Sequence, residues 1–101
     1  MSITCESSNE GRRVTIAISG CFDFNSVQEF RGAYMAIDGS KSNVELDLRE
    51  TEYMDSSALG MLLNMKKHLQ ASDSAIRILN CQPQVKKILE ISRFDKKFLI
   101  S

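Results

Sequence analysis

An α/β fold with a mixed, mainly parallel sheet is predicted by three features of the chain. Strand-like and helix-like stretches alternate after an opening hairpin, and a period-two stretch at 44–48 gives way to a helical period at 58–69. The junction between those two, Asp55-Ser56-Ser57, consists of residue types that cap helix N-termini. Alternation of this kind needs crossover connections, which set successive strands parallel and pack helices against the sheet.

Ile3 to Ser7 and Val14 to Ser19 read as two strands joined by the polar turn Ser8-Asn9-Glu10-Gly11-Arg12. Val14, Ile16 and Ile18 face one way and Thr15, Ala17 and Ser19 the other, so the pair is an antiparallel hairpin at one side of the sheet. Gly20 ends the second strand, and the loop Cys21-Phe22-Asp23-Phe24-Asn25-Ser26 follows. Val27, Phe30, Ala33, Tyr34 and Ile37 then repeat at helical spacing until Asp38-Gly39-Ser40 stops them, with Asn25 or Ser26 as the expected cap.

Asn43 to Arg49 is the next strand, with Val44, Leu46 and Leu48 inward and Glu45, Asp47 and Arg49 on the other face. The helix after it is expected to reach about Ser72, with Ala58, Leu59, Leu62, Leu63, Met65 and Leu69 on its apolar side and Asn64, Lys66, Lys67 and Gln70 opposite. Ala75 to Asn80 is another strand. Pro83 opens a helix containing Val85, Ile88, Leu89 and Ile91, because its missing donor would be unpaired there anyway, and Phe98 to Ile100 forms a short final strand. The order is β-β-α-β-α-β-α-β, with about five strands. Binding groups in such sheets collect at the carboxyl ends of the strands. If the strands at 14–19 and 43–49 are neighbours, Asp23, Asp55 and Ser56 therefore share one rim.

A chain of 101 residues suits one domain over 1–101, with room for a single core. Apolar residues make up 43% and charged residues 26%, which excludes disorder as the default. Thirteen basic and thirteen acidic residues, with no blocks of one sign, argue against a nucleic-acid binder. No apolar run is long enough to span a bilayer and no secretory leader is visible, so a cytoplasmic location is expected. Cys5, Cys21 and Cys81 are odd in number and widely spaced, which fits reduced thiols serving as small packing residues and argues against a disulfide framework or a zinc site.

Tyr53-Met54-Asp55-Ser56-Ser57-Ala58-Leu59-Gly60 resembles the phosphorylation motif of STAS-domain anti-sigma factor antagonists, the bacterial anti-anti-sigma proteins. The resemblance spans nearly the whole chain: Gly20-Cys21-Phe22-Asp23 matches the family's glycine-to-aspartate loop, Val44 to Leu48 its central strand, and Val85 to Phe94 its final helix. Arg93-Phe94-Asp95 is similar to the ending of small stand-alone antagonists in proteobacterial motility and biofilm regulation. The resemblance implies the STAS fold and a partner switch. Ser56 would be phosphorylated by an anti-sigma factor with serine kinase activity and dephosphorylated by a PP2C-type phosphatase. The unphosphorylated form would bind the anti-sigma factor and free its sigma factor. Asp23, Phe24, Asp55, Ser56, Ser57, Leu59 and Gly60 are the partner-binding residues it implies; it implies no cofactor and no metal, and a monomer when free. Another signalling protein that reads one of the two forms is compatible with it. Two departures stand out: Cys21 where many members carry an acidic residue, and Ala58 where glycine is commoner.

Each of these residues also has a plainer reading. Asp55, Ser56 and Ser57 are all suitable helix caps, Asp23 suits a turn or the cap of the first helix, and of Phe22 and Phe24 at least one belongs in the core while the other can anchor an interface. An enzyme is disfavoured: the single histidine, His68, lies about 18 Å along the helix from Ser56, too far to serve it as a base. The alternative within the family is a non-switching STAS subunit docking on the ATPase of an ABC-type lipid transporter. A nucleotide sensor lacks the glycine-rich cradle it would need.

Overall fold

In a computed structural model, which describes residues 2–8, 12–37, 43–70 and 75–101, the order is β1 (Ser2–Ser8), β2 (Arg13–Phe22), α1 (Val27–Met35), β3 (Asn43–Asp47), β4 (Thr51–Met54), α2 (Ser56–His68), β5 (Arg77–Leu79), α3 (Pro83–Ile91) and β6 (Leu99–Ile100). Short 3₁₀ turns at Phe24–Ser26 and Phe94–Lys96 complete it. The sheet runs β1-β2-β3-β5-β6, antiparallel only between β1 and β2. The expected mixed, mainly parallel architecture is therefore present, with β2 and β3 adjacent.

The inward alternation of β2 continues across the sheet: Ile16 and Ile18, Leu46 of β3 and Ile78 of β5 are buried and meet Phe22, Phe30, Leu62, Met65, Val85, Leu89 and Phe98 in one core. Each such side chain contributes roughly 1.5–3 kcal/mol by leaving water. The outer edge of β1 is partly covered, since the amide of Ile3 donates to Glu29 Oε1 of α1 at 3.2 Å. A side chain over an open edge discourages pairing with another strand.

Four expectations are corrected. The sheet has a sixth strand, β4, which pairs parallel with the carboxyl end of β2. Its exposure, buried-exposed-exposed-buried, does not alternate, because the pairing register shifts between Gly20 and Cys21. Gly20 sits at φ 84°, a backbone region where a β-carbon is unfavourable. Second, α2 stops at His68 because Gln70 turns left-handed at φ 54°; the predicted continuation through 71–72 lies outside the described residues, as do most of the turn at 9–11 and the Asp38-Gly39-Ser40 stop.

Third, the apolar side of α2 is rotated: Ala58, Met61, Leu62, Met65 and Leu69 are buried, Leu59 is half-buried, and Leu63 is exposed. Fourth, Cys5 and Cys21 are exposed free thiols, and only Cys81 packs against the core. Ser26, one of the two expected candidates, holds the N-cap position of α1, although it makes no capping bond there. The Ser26 hydroxyl is fully buried and instead donates to the Cys21 carbonyl at 3.4 Å.

Glu45 departs from the alternating pattern as well. It is buried on the helix-free face, paired with Arg13 Nε, with Arg77 Nη1 at 3.8 Å from its other oxygen. Register explains this, since Thr15, Glu45 and Arg77 lie in one row across β2, β3 and β5. The hydrogen bond from Arg13, together with its charge and that of Arg77, outweighs burial and holds the Glu45 carboxyl below its ordinary value of 4.5. A depressed acid stabilises the fold above its unfolded-state value and loses that contribution as pH falls through the folded one. Denaturant titrations should accordingly show wild type losing more stability than Glu45→Gln between about pH 5 and pH 3. Parallel pH profiles for the two proteins would contradict this.

Candidate functional site

The rim is built where β2 and β4 end side by side. Gly20 donates to the Glu50 carbonyl at 2.9 Å, and the buried Thr51 hydroxyl donates to Ile18 O at 2.7 Å, fastening β4 to β2. One step further the amide of Asp55 donates to Phe22 O at 3.3 Å, so the loop after β2 and the start of α2 leave the sheet together. Asp23 then turns the chain: its Oδ1 accepts from Asn25 N at 3.0 Å and its own amide donates to Ser26 Oγ at 3.2 Å, forming a capping box around the 3₁₀ turn.

Of the three cap candidates at α2, Asp55 holds the position. Its Oδ1 accepts from Ala58 N at 3.0 Å, while Oδ2 accepts from Phe24 N at a longer 3.4 Å. One carboxylate thereby ties the two loops together. Both oxygens serve amides, so Asp55 positions the turn and is poorly placed to take a proton from Ser56. Ser56, the first residue of α2, is exposed, and Ser57 is half-buried.

The elements that meet at this rim each expose a large apolar side chain. Phe22 is fully buried and Phe24 is 71% exposed, so the two phenylalanines divide between core and surface as expected. Tyr53, which the sequence reading left out of the site, is 51% exposed and lies opposite Cys21 in the β2–β4 register. Leu63, also left out, is 38% exposed. Its signal was the spacing: Ser56, Gly60 and Leu63 stand at i, i+4 and i+7, one side of a helix. The structure thus gathers Asp23, Phe24, Asp55, Ser56 and Ser57 at the rim, with Leu59 and Gly60 in the next turn of α2.

A β-carbon added at Gly60 meets nothing within 4 Å. Gly60→Ala should therefore stabilise the fold by roughly 0.5–1 kcal/mol through helix propensity alone. A thermal melt showing destabilisation would refute the open geometry.

His68 lies at the far end of α2, exposed, its ring 5.5 Å from that of Tyr34. Among the described residues no group of three or more His, Cys, Asp or Glu side chains could hold a metal ion, and no helix is long and apolar enough to cross a membrane.

Comparison with known proteins agrees with this architecture. The family model described as "Mlab, STAS domain" matches residues 5–101. A STAS-domain containing protein of Pseudomonas aeruginosa is 45% identical over 101 residues, the full length of both chains. An anti-sigma-B factor antagonist of Staphylococcus aureus is 24% identical over 94 residues, 91% of this chain and 86% of that one. The fold is shared with the Bacillus cell fate determinant SpoIIAA in its phosphorylated form, at a TM-score of 0.68 and 21% identity over 99% of this chain and 91% of that one. With a family model covering all but the first four residues and a full-length relative at that identity, this chain belongs to the STAS-domain family.

Proposed function

We propose that this protein is an anti-sigma factor antagonist that works by partner switching in the cytoplasm, as a single-domain monomer when free. The unphosphorylated form binds an anti-sigma factor with serine kinase activity and releases its sigma factor. Phosphorylation at Ser56 blocks that binding, and a PP2C-type phosphatase restores it. The observation that carries the reading is the exposed Ser56 on the first turn of α2, next to Asp55, which ties that turn to the loop bearing the exposed Phe24. The names of the Staphylococcus relative and the Bacillus structure point the same way. In this role the serine is a substrate and the protein a binding module with no catalysis of its own.

The physics of the switch follows from the position. A phosphate adds about −1.5 to −2 charges and three acceptor oxygens. At a helix N-terminus the first-turn amides and the dipole favour that charge, so the fold survives modification. A docked partner fares worse, because the dianion beside Asp55 must be desolvated against a surface fitted to a neutral hydroxyl.

Incubation with ATP and the cognate kinase, followed by mass measurement, tests this. One phosphate should appear on wild type, map to Ser56, and be absent from Ser56→Ala. Failure of the kinase to modify the protein, or modification elsewhere, would overturn the switch. A second reading keeps the surface and drops the phosphate: a non-switching STAS subunit docked on the ATPase of an ABC-type lipid transporter. It is favoured by the matched family description, which names no antagonist, and by Asp55 sufficing as the cap of α2. On that reading the mass stays unchanged.

A further inference from the structure

At the other end of α2 a groove opens between α1 and α2, about 520 Å³ in volume. Arg31 and Lys67 are exposed on its walls, and His68 stands beside them with its ring against Tyr34. Met35, 47% exposed, and the buried Met61 supply an apolar lining. None of the lining residues among those described is acidic, although the chain as a whole carries as many acidic as basic residues.

The helix dipole accounts for Lys67 and His68 in the last turn of α2. It does not account for Arg31, which comes from α1 and brings a second positive charge to the same cleft. Like charges facing one cleft repel, and an anionic occupant relieves them. The Val27 amide at the start of α1 bonds to the Phe24 carbonyl and the other lining residues lie deeper in α1 and α2, where amides are bonded within the helix, so no nest of free N–H groups awaits a phosphate. Methionines beside a guanidinium suit a flexible segment that carries apolar side chains as well as carboxylates.

The groove and the rim share helix α2. Ser56, Gly60, Leu63 and Lys67 follow one another along α2, and Lys67 lies about 16 Å from Ser56 along the axis. We propose that this α1–α2 groove is a second docking site, which takes an acidic, leucine-containing segment of a protein partner. The proposal goes beyond the Ser56 switch and does not depend on phosphorylation.

The test is an NMR titration of the ¹⁵N-labelled full chain with a synthetic peptide alternating Glu and Leu. Saturable shifts are expected at the amides of Arg31, Met35, Lys67 and His68, weakening several-fold as salt rises from about 20 to about 300 mM. Arg31→Glu with Lys67→Glu should weaken binding at least about tenfold, as should replacing the peptide's Glu by Gln. Both residues are exposed, so the double variant should fold, melting slightly below wild type because Glu at 67 opposes the dipole at the end of α2; if the drop is large, Arg31→Gln with Lys67→Gln takes its place. Ser56→Asp should leave peptide binding unchanged, which separates this site from the switch. Absence of saturable shifts in the groove, wild-type affinity in the charge variants, or equal shifts with inorganic phosphate would each overturn the proposal.

Discussion

Phosphorylation of Ser56 is expected to weaken binding of the anti-sigma partner by hundreds of fold, equivalent to roughly 3–4 kcal/mol, while the fold stays intact. Ser56→Asp carries one charge instead of nearly two and should cost at least about tenfold. The stability side of this expectation has the opposite sign. An acidic group on the first turn of a helix typically gains about 0.3–1 kcal/mol, so Ser56→Asp should melt at or slightly above the wild-type temperature. Calorimetric titration against the partner, paired with a thermal melt, reads both quantities. Wild-type affinity in the phosphoprotein would end the partner-switch account, and a large drop in melting temperature would show that the charge acts on the fold.

The second large effect separates two phenylalanines that are two residues apart. Phe22 is fully buried and tilted against Phe30 at a centroid distance of 4.9 Å. Phe22→Ala should cost about 3–5 kcal/mol, from lost transfer energy and the cavity left behind. That is a large part of the 5–15 kcal/mol that ordinarily holds a domain together. Since the Phe22 carbonyl also receives the Asp55 amide, loosening this point should disturb the rim. Phe24, exposed over the same rim, should change stability by no more than about 0.5 kcal/mol on truncation. Its loss should instead appear in binding, at about 2 kcal/mol or roughly thirtyfold. Urea unfolding and partner titration on both variants would settle the division. A stable Phe22→Ala protein, or an unstable Phe24→Ala one, would reverse it.

The site shows how far residue patterns reach. The rule that binding groups gather at strand carboxyl ends puts Asp23, Asp55 and Ser56 on one rim; β2 and β3 are adjacent as that expectation required, but it is β4, ending beside β2, that delivers Asp55 and Ser56 there. What each residue does there was less legible. Three neighbouring side chains could all cap α2; Asp55 takes the position through Ala58 N, and only the fold shows that its second oxygen also reaches Phe24 N in a different loop. Tyr53 entered the site only through β4, a strand with no alternation to announce it.

The sequence by itself determined the order of the elements other than β4, the inward sides of β2 and β3, and the start of α2, because periodicity and capping are properties of neighbouring residues. Only the tertiary structure decided that Glu45 is buried between two arginines, that Leu63 turns outward, that β4 joins β2 across a register shift, and that Arg31 meets Lys67 in one groove. Each of these depends on a partner distant in the chain. No local pattern encodes which row or helix flank will face it, and packing makes that choice.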